Sequence, residues 1–141
     1  MKNYVHTLLI ACAAMLCGIT SLHAQKAPSY DGTTSYVVEF NNSKLYLTSV
    51  GAGKNLQTQN GTLETATDLQ LWSFVGTASK FQLKNKAGEY ISYSTTASRL
   101  QASTSEDANG FTLVSGGTTW QLKWLGAPDG KAFMKKHSFV K

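Results

Sequence analysis

The sequence predicts an all-β protein with a closed, repeated fold, and the first observation behind this prediction is an internal repeat. Residues 81–84 (Phe-Gln-Leu-Lys) return 39 positions later as residues 120–123 (Trp-Gln-Leu-Lys). Residues 55–58 return 44 positions later as residues 99–102. A period of about 40 residues is typical of repeat architectures, in which each copy is one supersecondary unit that cannot bury its apolar face alone.

The second observation is a strand-type composition. Thr, Ser, Val, Leu and aromatic residues dominate beyond residue 33, and Gly, Asn and Asp interrupt them at short intervals. Residues 72–74 and 120–122 alternate apolar and polar positions, which gives a strand one buried and one exposed face. No window keeps an apolar stripe at helical spacing, although residues 62–71 come nearest and are expected to hold one helical turn.

The first two repeats, at about 34–76 and 77–116, each hold four predicted strands. In chain order these strands are 36–40, 45–48, 56–58 and 71–75, then 80–84, 90–93, 100–102 and 111–114. Short turns rich in Gly and Asn separate them. Three such units packed around one axis would bury their apolar faces together, which is the logic of a closed all-β fold.

The third repeat, at about 117–141, is short. Predicted strands cover residues 120–124 and 132–134, and the sequence stops before any further strand is expected. A repeat without its last strands would leave a sheet edge exposed. Two explanations stay open: the leader segment completes the fold, or the sequence is a truncated form of a longer protein. The second explanation is preferred.

The first 24 residues predict a secretory signal peptide. Lys2 supplies a positive start, residues 7–19 form an apolar run, and residues 22–24 offer a small-residue cleavage site with the cut near Ala24. The apolar run is too short for a membrane span. A lipoprotein box at residues 9–12 lies too early to be favoured. We therefore expect a secreted or periplasmic domain over residues 34–141, preceded by a flexible leader over 25–33.

Cysteine usage and charge narrow the class of protein. Cys12 and Cys17 both lie in the signal peptide, so we expect a disulfide-free domain that is stabilised by packing. Of the net charge of +5, +4 arises beyond residue 116 and +1 from Lys2, because basic and acidic residues balance over residues 25–116. One arginine and a few lysines near the end of the sequence indicate solubility rather than nucleic-acid binding.

The residues that catalysis requires are scarce. His137 is the one histidine beyond the signal peptide, and no cysteine accompanies it. The tight acidic pair Glu106 and Asp107 lies in a turn-rich stretch and is expected to be a solvated loop. No metal-ligand cluster and no phosphate-binding glycine loop is present in the sequence. The sequence therefore predicts neither an enzyme nor a cofactor.

At residues 70–72 the sequence resembles a known family. Gln70-Leu71-Trp72 is similar to the Gln-x-Trp signature of ricin B-type, lectin-like β-trefoils, which have three repeats of four strands. Residues 69–76 and 81–91 look like a branch found as N-terminal modules of large secreted bacterial proteins, often glycoside hydrolases. The resemblance covers about residues 36–133. It implies a β-trefoil with Gln70, Trp72, Phe111 and Trp120 as structural signature residues.

The resemblance also implies carbohydrate binding. The family's sugar sites typically use an aspartate just after the strand that carries a Tyr-Leu pair, but Thr48 and Ser92 occupy this position here. A sugar ring stacks on an exposed aromatic ring while nearby polar side chains bind its hydroxyls. The candidate ligand-binding residues on these grounds are Trp124, Tyr93, Asp68, Asn60 and Asn109.

Two functions follow as expectations. The first is a non-catalytic, lectin-like module that binds a glycan. The second is a structural or protein-interaction trefoil that accompanies a catalytic domain, with no sugar binding of its own. Exposure of Trp124 and Tyr93 would favour the first function. Burial of both rings, with no polar cluster beside another exposed aromatic residue, would favour the second.

Overall fold

The computed structural model describes residues 26–40, 43–115, 120–127 and 132–140, the last of these for the course of its main chain. The predicted signal peptide and the cleavage site near Ala24 lie outside the described residues. Within the described ranges, no helix is both long enough and apolar enough to cross a membrane.

The described chain is all-β, as the repeat and the composition predict. Its ten strands are β1 (Asp31–Phe40), β2 (Leu45–Thr48), β3 (Gln57–Asn60), β4 (Trp72–Gly76), β5 (Phe81–Asn85), β6 (Tyr90–Ser94), β7 (Arg99–Ser103), β8 (Phe111–Ser115), β9 (Trp120–Trp124) and β10 (Ala132–Val140). A single 3₁₀ turn, Leu63–Thr65, lies in the stretch where the sequence predicts one helical turn.

The strands form one curled antiparallel sheet. Six of them pair in a closed cycle in the order β1, β4, β5, β8, β9, β10 and back to β1. The other four form two hairpins, β2–β3 and β6–β7, which attach to the cycle through β1 and β5. Each strand of the cycle therefore has a neighbour on both sides, although β5 and β8 meet through the single pair Phe81 and Phe111.

The sequence repeat returns as a repeat of hydrogen-bond register. The pair Thr48–Gln57 recurs 44 residues later as Ser92–Gln101. The pair Trp72–Asn85 recurs 39 residues later as Phe111–Trp124. The two offsets match those of the sequence repeat. They differ because the loop between β7 and β8 is shorter than the loop between β3 and β4.

The third unit differs from the prediction. We expected it to lack its last strands, but β10 spans Ala132–Val140 and pairs with both β9 and β1. Among its described residues the third unit holds β9 and β10, with no counterpart of the β2–β3 and β6–β7 hairpins.

The first strand begins earlier than the predicted domain boundary. Asp31, which falls in the segment predicted as a leader, is the first residue of β1 and pairs with Val75. Its carboxylate accepts hydrogen bonds from the backbone N–H groups of Thr33 and Thr34, both at 2.8 Å. These bonds hold the pKa of Asp31 well below its usual range. They also shape the chain at the bulge between Asp31 and Ser35.

The core lies inside the curled sheet and is mainly aromatic. Trp72, Phe74, Phe81 and Phe111 are fully buried and come from β4, β5 and β8. The rings of Phe74 and Phe81 meet edge to face at 5.0 Å between centroids, a geometry that aromatic pairs prefer. Tyr30, just before β1, packs its ring against both of them. Packing of this kind holds a domain whose described residues contain no cysteine.

Candidate functional site

The two aromatic candidates lie together near the turn of the second unit's hairpin. The rings of Tyr93 on β6 and Trp124 on β9 are 4.6 Å apart between centroids. Trp124 is buried and belongs to the core, whereas Tyr93 is half-buried. Trp124 therefore presents little ring surface to a ligand, and Tyr93 is the aromatic candidate with a face toward solvent.

The three polar candidates do not converge with these rings. Asn60 ends β3 and Asp68 lies in the turn before β4, so both belong to the first unit, and both are exposed. Asn109 is exposed in the second unit, and its backbone N–H donates to the Asp107 carboxylate at 2.9 Å. The structure thus brings Tyr93, Trp124 and Asn109 to one region and leaves Asn60 and Asp68 elsewhere.

Asp107 is the polar centre of that region, although we expected the pair with Glu106 to be a solvated loop. Glu106 is exposed as predicted, but Asp107 is buried, so the prediction is wrong for this residue. Five donors surround its carboxylate: the Ser92 hydroxyl at 3.1 Å, the backbone N–H groups of Tyr93, Asn109 and Gly110 at 2.9, 2.9 and 3.1 Å, and the Trp124 indole N–H at 2.9 Å.

The electrostatics of Asp107 follow from these contacts. Burial by itself raises the pKa of the carboxyl, but the hydrogen bonds from Tyr93, Trp124, Asn109 and Gly110 favour the anion and outweigh it, so the pKa lies below its usual value of 3.8. The side chain is therefore an anion at neutral pH, with both oxygens engaged. Such a group fastens chain segments together and is poorly suited to accept or deliver a proton.

Gln82 completes this junction through the backbone of Asp107. Its side-chain amide nitrogen donates to the Asp107 carbonyl at 2.7 Å, and its amide oxygen accepts from the Asp107 N–H at 3.1 Å. Gln82 lies on β5, so the bonds tie the loop before β8 to the neighbouring strand of the cycle. Both polar groups of a buried amide are thereby satisfied.

In the first unit, the Gln-x-Trp residues make the hydrogen bonds that fasten the hairpin. The amide oxygen of buried Gln70 accepts from the Thr67 N–H at 3.1 Å, and its amide nitrogen donates to the Thr48 hydroxyl at 3.2 Å. The indole N–H of Trp72 donates to the Leu47 carbonyl at 3.0 Å. These bonds fasten the β2–β3 hairpin to the start of β4.

A comparison of equivalent atoms shows how the two units differ. Ser49 and Tyr93 are 44 residues apart, so they are equivalent under the hairpin register. The Ser49 N–H bonds the Leu69 carbonyl at 3.0 Å, whereas the Tyr93 N–H bonds the Asp107 carboxylate at 2.9 Å. A buried carboxylate in the second unit thus takes the place of a backbone carbonyl and a glutamine in the first.

The two hairpins lie side by side and are joined by hydrogen bonds. These are Gly53 N–H to Ala102 carbonyl at 2.8 Å, Leu56 N–H to Leu100 carbonyl at 3.0 Å, Ala102 N–H to Lys54 carbonyl at 3.0 Å, and the Gln101 amide to the Asn55 amide oxygen at 3.0 Å. The junction fixes the relative position of β3 and β7. It also forms one wall of an open groove on the same side of the molecule.

We call this cavity the inter-hairpin groove, and its volume is about 270 Å³. The lining residues are Phe40, Leu47, Leu56, Gln57, Thr58, Tyr93, Ser98, Arg99 and Leu100. Leu47 is buried and Leu56 and Leu100 are half-buried, so these three form the floor. The Phe40 ring is 40% exposed, and the polar lining residues apart from Tyr93 are all exposed, so they form the rim.

Sequence reasoning missed most of this groove. Of the five candidate ligand residues, Tyr93 is the one that lines it. Gln57 on β3 and Arg99 on β7 meet there, beside Phe40 at the end of β1, because hairpins of two repeats are placed side by side. No local pattern reveals this arrangement. The sequence did contain a signal for Asp107. Asn109 is the equivalent of Gln70, but its side chain is one methylene group shorter. A different polar side chain is therefore expected to fasten the second hairpin.

Metal binding has no support in the described part of the chain. There, no three His, Cys, Asp or Glu side chains are grouped closely enough to hold an ion. The side chain of His137, the one histidine of the predicted mature domain, lies outside what the structure describes.

The fold and these junctions define a closed, curled all-β domain with a groove between two hairpins. The likeness to a known protein is a likeness of this fold. No family model matches the chain, and no match was found among curated proteins. A similar solved structure is the GlcNAcα1-4Gal-releasing endo-β-galactosidase from Clostridium perfringens, with a TM-score of 0.57 and 13% sequence identity. The match covers 77% of this chain and 29% of that enzyme's chain, and at this identity it shows a likeness of fold alone.

Proposed function

We propose that this chain is a β-trefoil whose third unit lacks its hairpin, and that it is a non-catalytic carbohydrate-binding module of a secreted bacterial protein. The observation that carries the functional proposal is the inter-hairpin groove, where two aromatic rings lie next to exposed hydrogen-bonding side chains. The fold proposal rests on the six-stranded cycle and on the two hairpins at equivalent positions in the first two units.

The groove has the chemistry that saccharide recognition needs. Sugar rings carry one apolar C–H face, which packs on aromatic or aliphatic surface, and a periphery of hydroxyl groups. Phe40 and Tyr93 offer the first kind of surface, and the Gln57 amide and the Arg99 guanidinium offer hydrogen bonds for the second. The volume of about 270 Å³ is near the lower end for small-ligand sites, so one sugar residue is the expected occupant.

Two further observations support a binding role over a catalytic one. Glycoside hydrolysis usually needs two carboxyl groups flanking the scissile bond, one of them with a raised pKa. Asp107, the buried carboxyl of the described chain, has a lowered pKa and five donors around it. In addition, the fold resembles 29% of the length of a named endo-β-galactosidase, a share that suits one module of a larger carbohydrate-active protein.

We expect affinity electrophoresis through gels containing polysaccharides, together with a glycan array, to show retention of the protein. Arg99→Ala and Gln57→Ala each remove an exposed rim group and should weaken retention about tenfold by loss of about 1.4 kcal/mol of hydrogen bonding. Lys86→Ala, an exposed cation outside the groove, is the control and should leave retention unchanged. Absence of retention on every glycan would overturn the proposal.

A second candidate function has its own support. Trp124 is buried and the groove floor is formed by Leu47, Leu56 and Leu100, so apolar surface prevails over polar groups. An apolar groove of this kind also suits a segment of a catalytic partner domain. This accessory role is the alternative if no glycan is retained but Leu100→Glu abolishes co-purification with a glycoside hydrolase from the same bacterium.

A further inference from the structure

A second cavity lies on the first unit, away from the inter-hairpin groove. We call it the unit-one groove, and its volume is about 290 Å³. Its lining residues are Glu39, Lys44, Tyr46, Gly61, Thr62, Leu63 and Glu64. The two grooves share no lining residue.

Tyr46 is the residue that makes this cavity unusual. It is 5% exposed and lines the groove, and its hydroxyl makes no hydrogen bond to any described residue. Buried hydroxyl groups nearly always have a partner, because leaving one without a partner costs free energy. Burial, followed by the nearby charges of Glu39 and Glu64, raises the pKa of Tyr46, so the group stays a neutral donor at every physiological pH.

The backbone leaves room for this ring at one position. A Cβ atom on Gly61 would lie 2.9 Å from Cδ2 of Tyr46, which is closer than such contacts occur. Glycine at this position therefore lets the β3 end pass directly over the ring. The Tyr46 ring lies against Gly61 and lines the groove, where the charges of Glu39 and Glu64 act on its hydroxyl.

The charged groups of the groove are arranged as hydrogen-bond acceptors and donors. The Glu39 carboxylate accepts the Lys44 backbone N–H at 2.7 Å, which leaves further acceptor capacity on this side chain. The Glu64 N–H and the Thr62 hydroxyl lower the pKa of Glu64, so this carboxylate is ionised at neutral pH. The Lys44 ammonium adds donors beside the two carboxylates.

We propose that the unit-one groove is a second saccharide site, which binds the vicinal hydroxyls of a neutral sugar. The two carboxylates accept hydroxyl protons, while the Tyr46 hydroxyl and the Lys44 ammonium donate to sugar oxygens. Two carboxylates repel an anionic ligand, and the ammonium group opposes a metal ion. This inference rests on the proposed carbohydrate-binding function and adds a site that the Gln-x-Trp resemblance does not indicate.

The test is a titration of the isotope-labelled protein, expressed from the full sequence, followed by amide NMR spectra. The probes are the methyl glycosides of galactose, glucose, mannose and N-acetylglucosamine, with glucosamine as a cationic probe. We expect at least one neutral probe to shift the amides of Lys44, Gly61 and Glu64 in a saturable manner. Tyr46→Phe and Glu64→Gln should each weaken this response about fivefold or more.

The controls separate binding from stability and one site from the other. Tyr46→Phe removes a hydroxyl without a described partner, so its melting temperature should not fall. Glu106→Gln alters an exposed acid outside both grooves and should bind as the parent does. A shift of these amides with glucosamine alone would overturn the neutral-sugar assignment.

The pattern of responses also distinguishes the two proposals. If probes shift the amides of Thr58 and Arg99 but not those of Lys44, Gly61 and Glu64, the second site is wrong and the inter-hairpin groove stands. If the unit-one amides alone respond, the second site stands, and retention on polysaccharide gels and the glycan array decides the inter-hairpin groove. If no amide responds to any probe, the second site is wrong, and the same retention experiments decide the inter-hairpin groove.

Discussion

Replacing Asp107 by alanine should lower the free energy of unfolding by about 4 kcal/mol, the largest single effect that we expect in this chain. The carboxylate is buried and receives five hydrogen bonds, two to one oxygen and three to the other. Alanine would leave the N–H groups of Tyr93, Gly110 and Trp124 among those without an acceptor. Each unsatisfied buried donor costs about 1 to 3 kcal/mol, and partial exposure and relaxation reduce the sum.

Asp107→Asn should have an intermediate effect of about 2 kcal/mol. Its remaining oxygen can keep the bonds to Asn109, Gly110 and Trp124, but its new NH₂ group would face the N–H of Tyr93. Urea unfolding of both variants measures the two losses. A ranking in which asparagine is as damaging as alanine would show that charge, rather than the number of acceptors, governs the junction.

The internal repeat supplies a matched control for this prediction. Asp68 lies 39 residues before Asp107 and is its equivalent under the register of the following strands, but it is exposed. Asp68→Ala should therefore change the free energy of unfolding by no more than about 0.5 kcal/mol. Equal losses at the two positions would contradict the role assigned to Asp107.

The same carboxylate predicts a loss of stability in acid. The pKa of Asp107 is lower in the folded protein than its usual value of 3.8, so its contribution is fully present above that value and is lost as the pH falls through the folded pKa. Asp31 and Glu64 also have lowered pKa values and act in the same direction. The difference between the parent and Asp107→Asn, measured by urea unfolding from pH 6 down to about 2, isolates the Asp107 part. The difference should narrow on acidification.

Much of the fold could be predicted because it depends on local sequence patterns. Residues 72–74 and 120–122 alternate apolar and polar side chains, and both segments are strands in the structure. The offsets of 39 and 44 residues recur in the hydrogen-bond registers because each repeat builds the same hairpin and the same strand pair. Alternation and turn residues determine such elements over a few positions, so one sequence is enough to place them.

The closing strand and the polar junctions could not be predicted in this way. The end of the sequence carries no alternation that distinguishes a closing strand from a hairpin, and β10 is extended by its pairing with β1 at the opposite end of the chain. Asp107 looked like a loop acid because Glu106 beside it is one. Its burial depends on Trp124 from the next unit and on Gln82 from β5, and these contacts are set by tertiary packing.

In the candidate site, too, local sequence pattern and tertiary packing determine different residues. The sequence predicts Tyr93 as a ligand residue because it ends a strand beside a polar turn, and the structure places it in the lining of the inter-hairpin groove. Trp124 has a similar sequence environment, but Gly126 packs directly against its indole ring and Asp107 accepts its N–H, so the ring stays in the core. Exposure of an aromatic ring near a loop therefore depends on partners that are distant in sequence.

Gly76→Ala should lower the free energy of unfolding by about 3 kcal/mol, for a reason confined to the backbone. Gly76 ends β4 with a φ of 136°, in a region that side chains disfavour. A Cβ atom there would lie 2.6 Å from the Lys80 carbonyl oxygen and 3.1 Å from the Phe81 Cα. Both atoms belong to the backbone of the turn into β5, so neither can move aside without breaking the pairing of Gly76 with Phe81.

Gly88→Ala separates the cost of the strained backbone from the cost of the steric clash. Gly88 also has a positive φ, at 90°, but no atom lies within 4 Å of where its Cβ would be. This variant should lose about 1 kcal/mol from the strained backbone alone, so the remaining loss in Gly76→Ala measures the clash with the turn. Urea unfolding of the two variants provides the comparison, and equal losses would show that the β4–β5 turn can shift. Since β4 and β5 are adjacent in the closed cycle, a large excess at Gly76 would mean that the cycle tolerates little displacement at the join between the first two repeats.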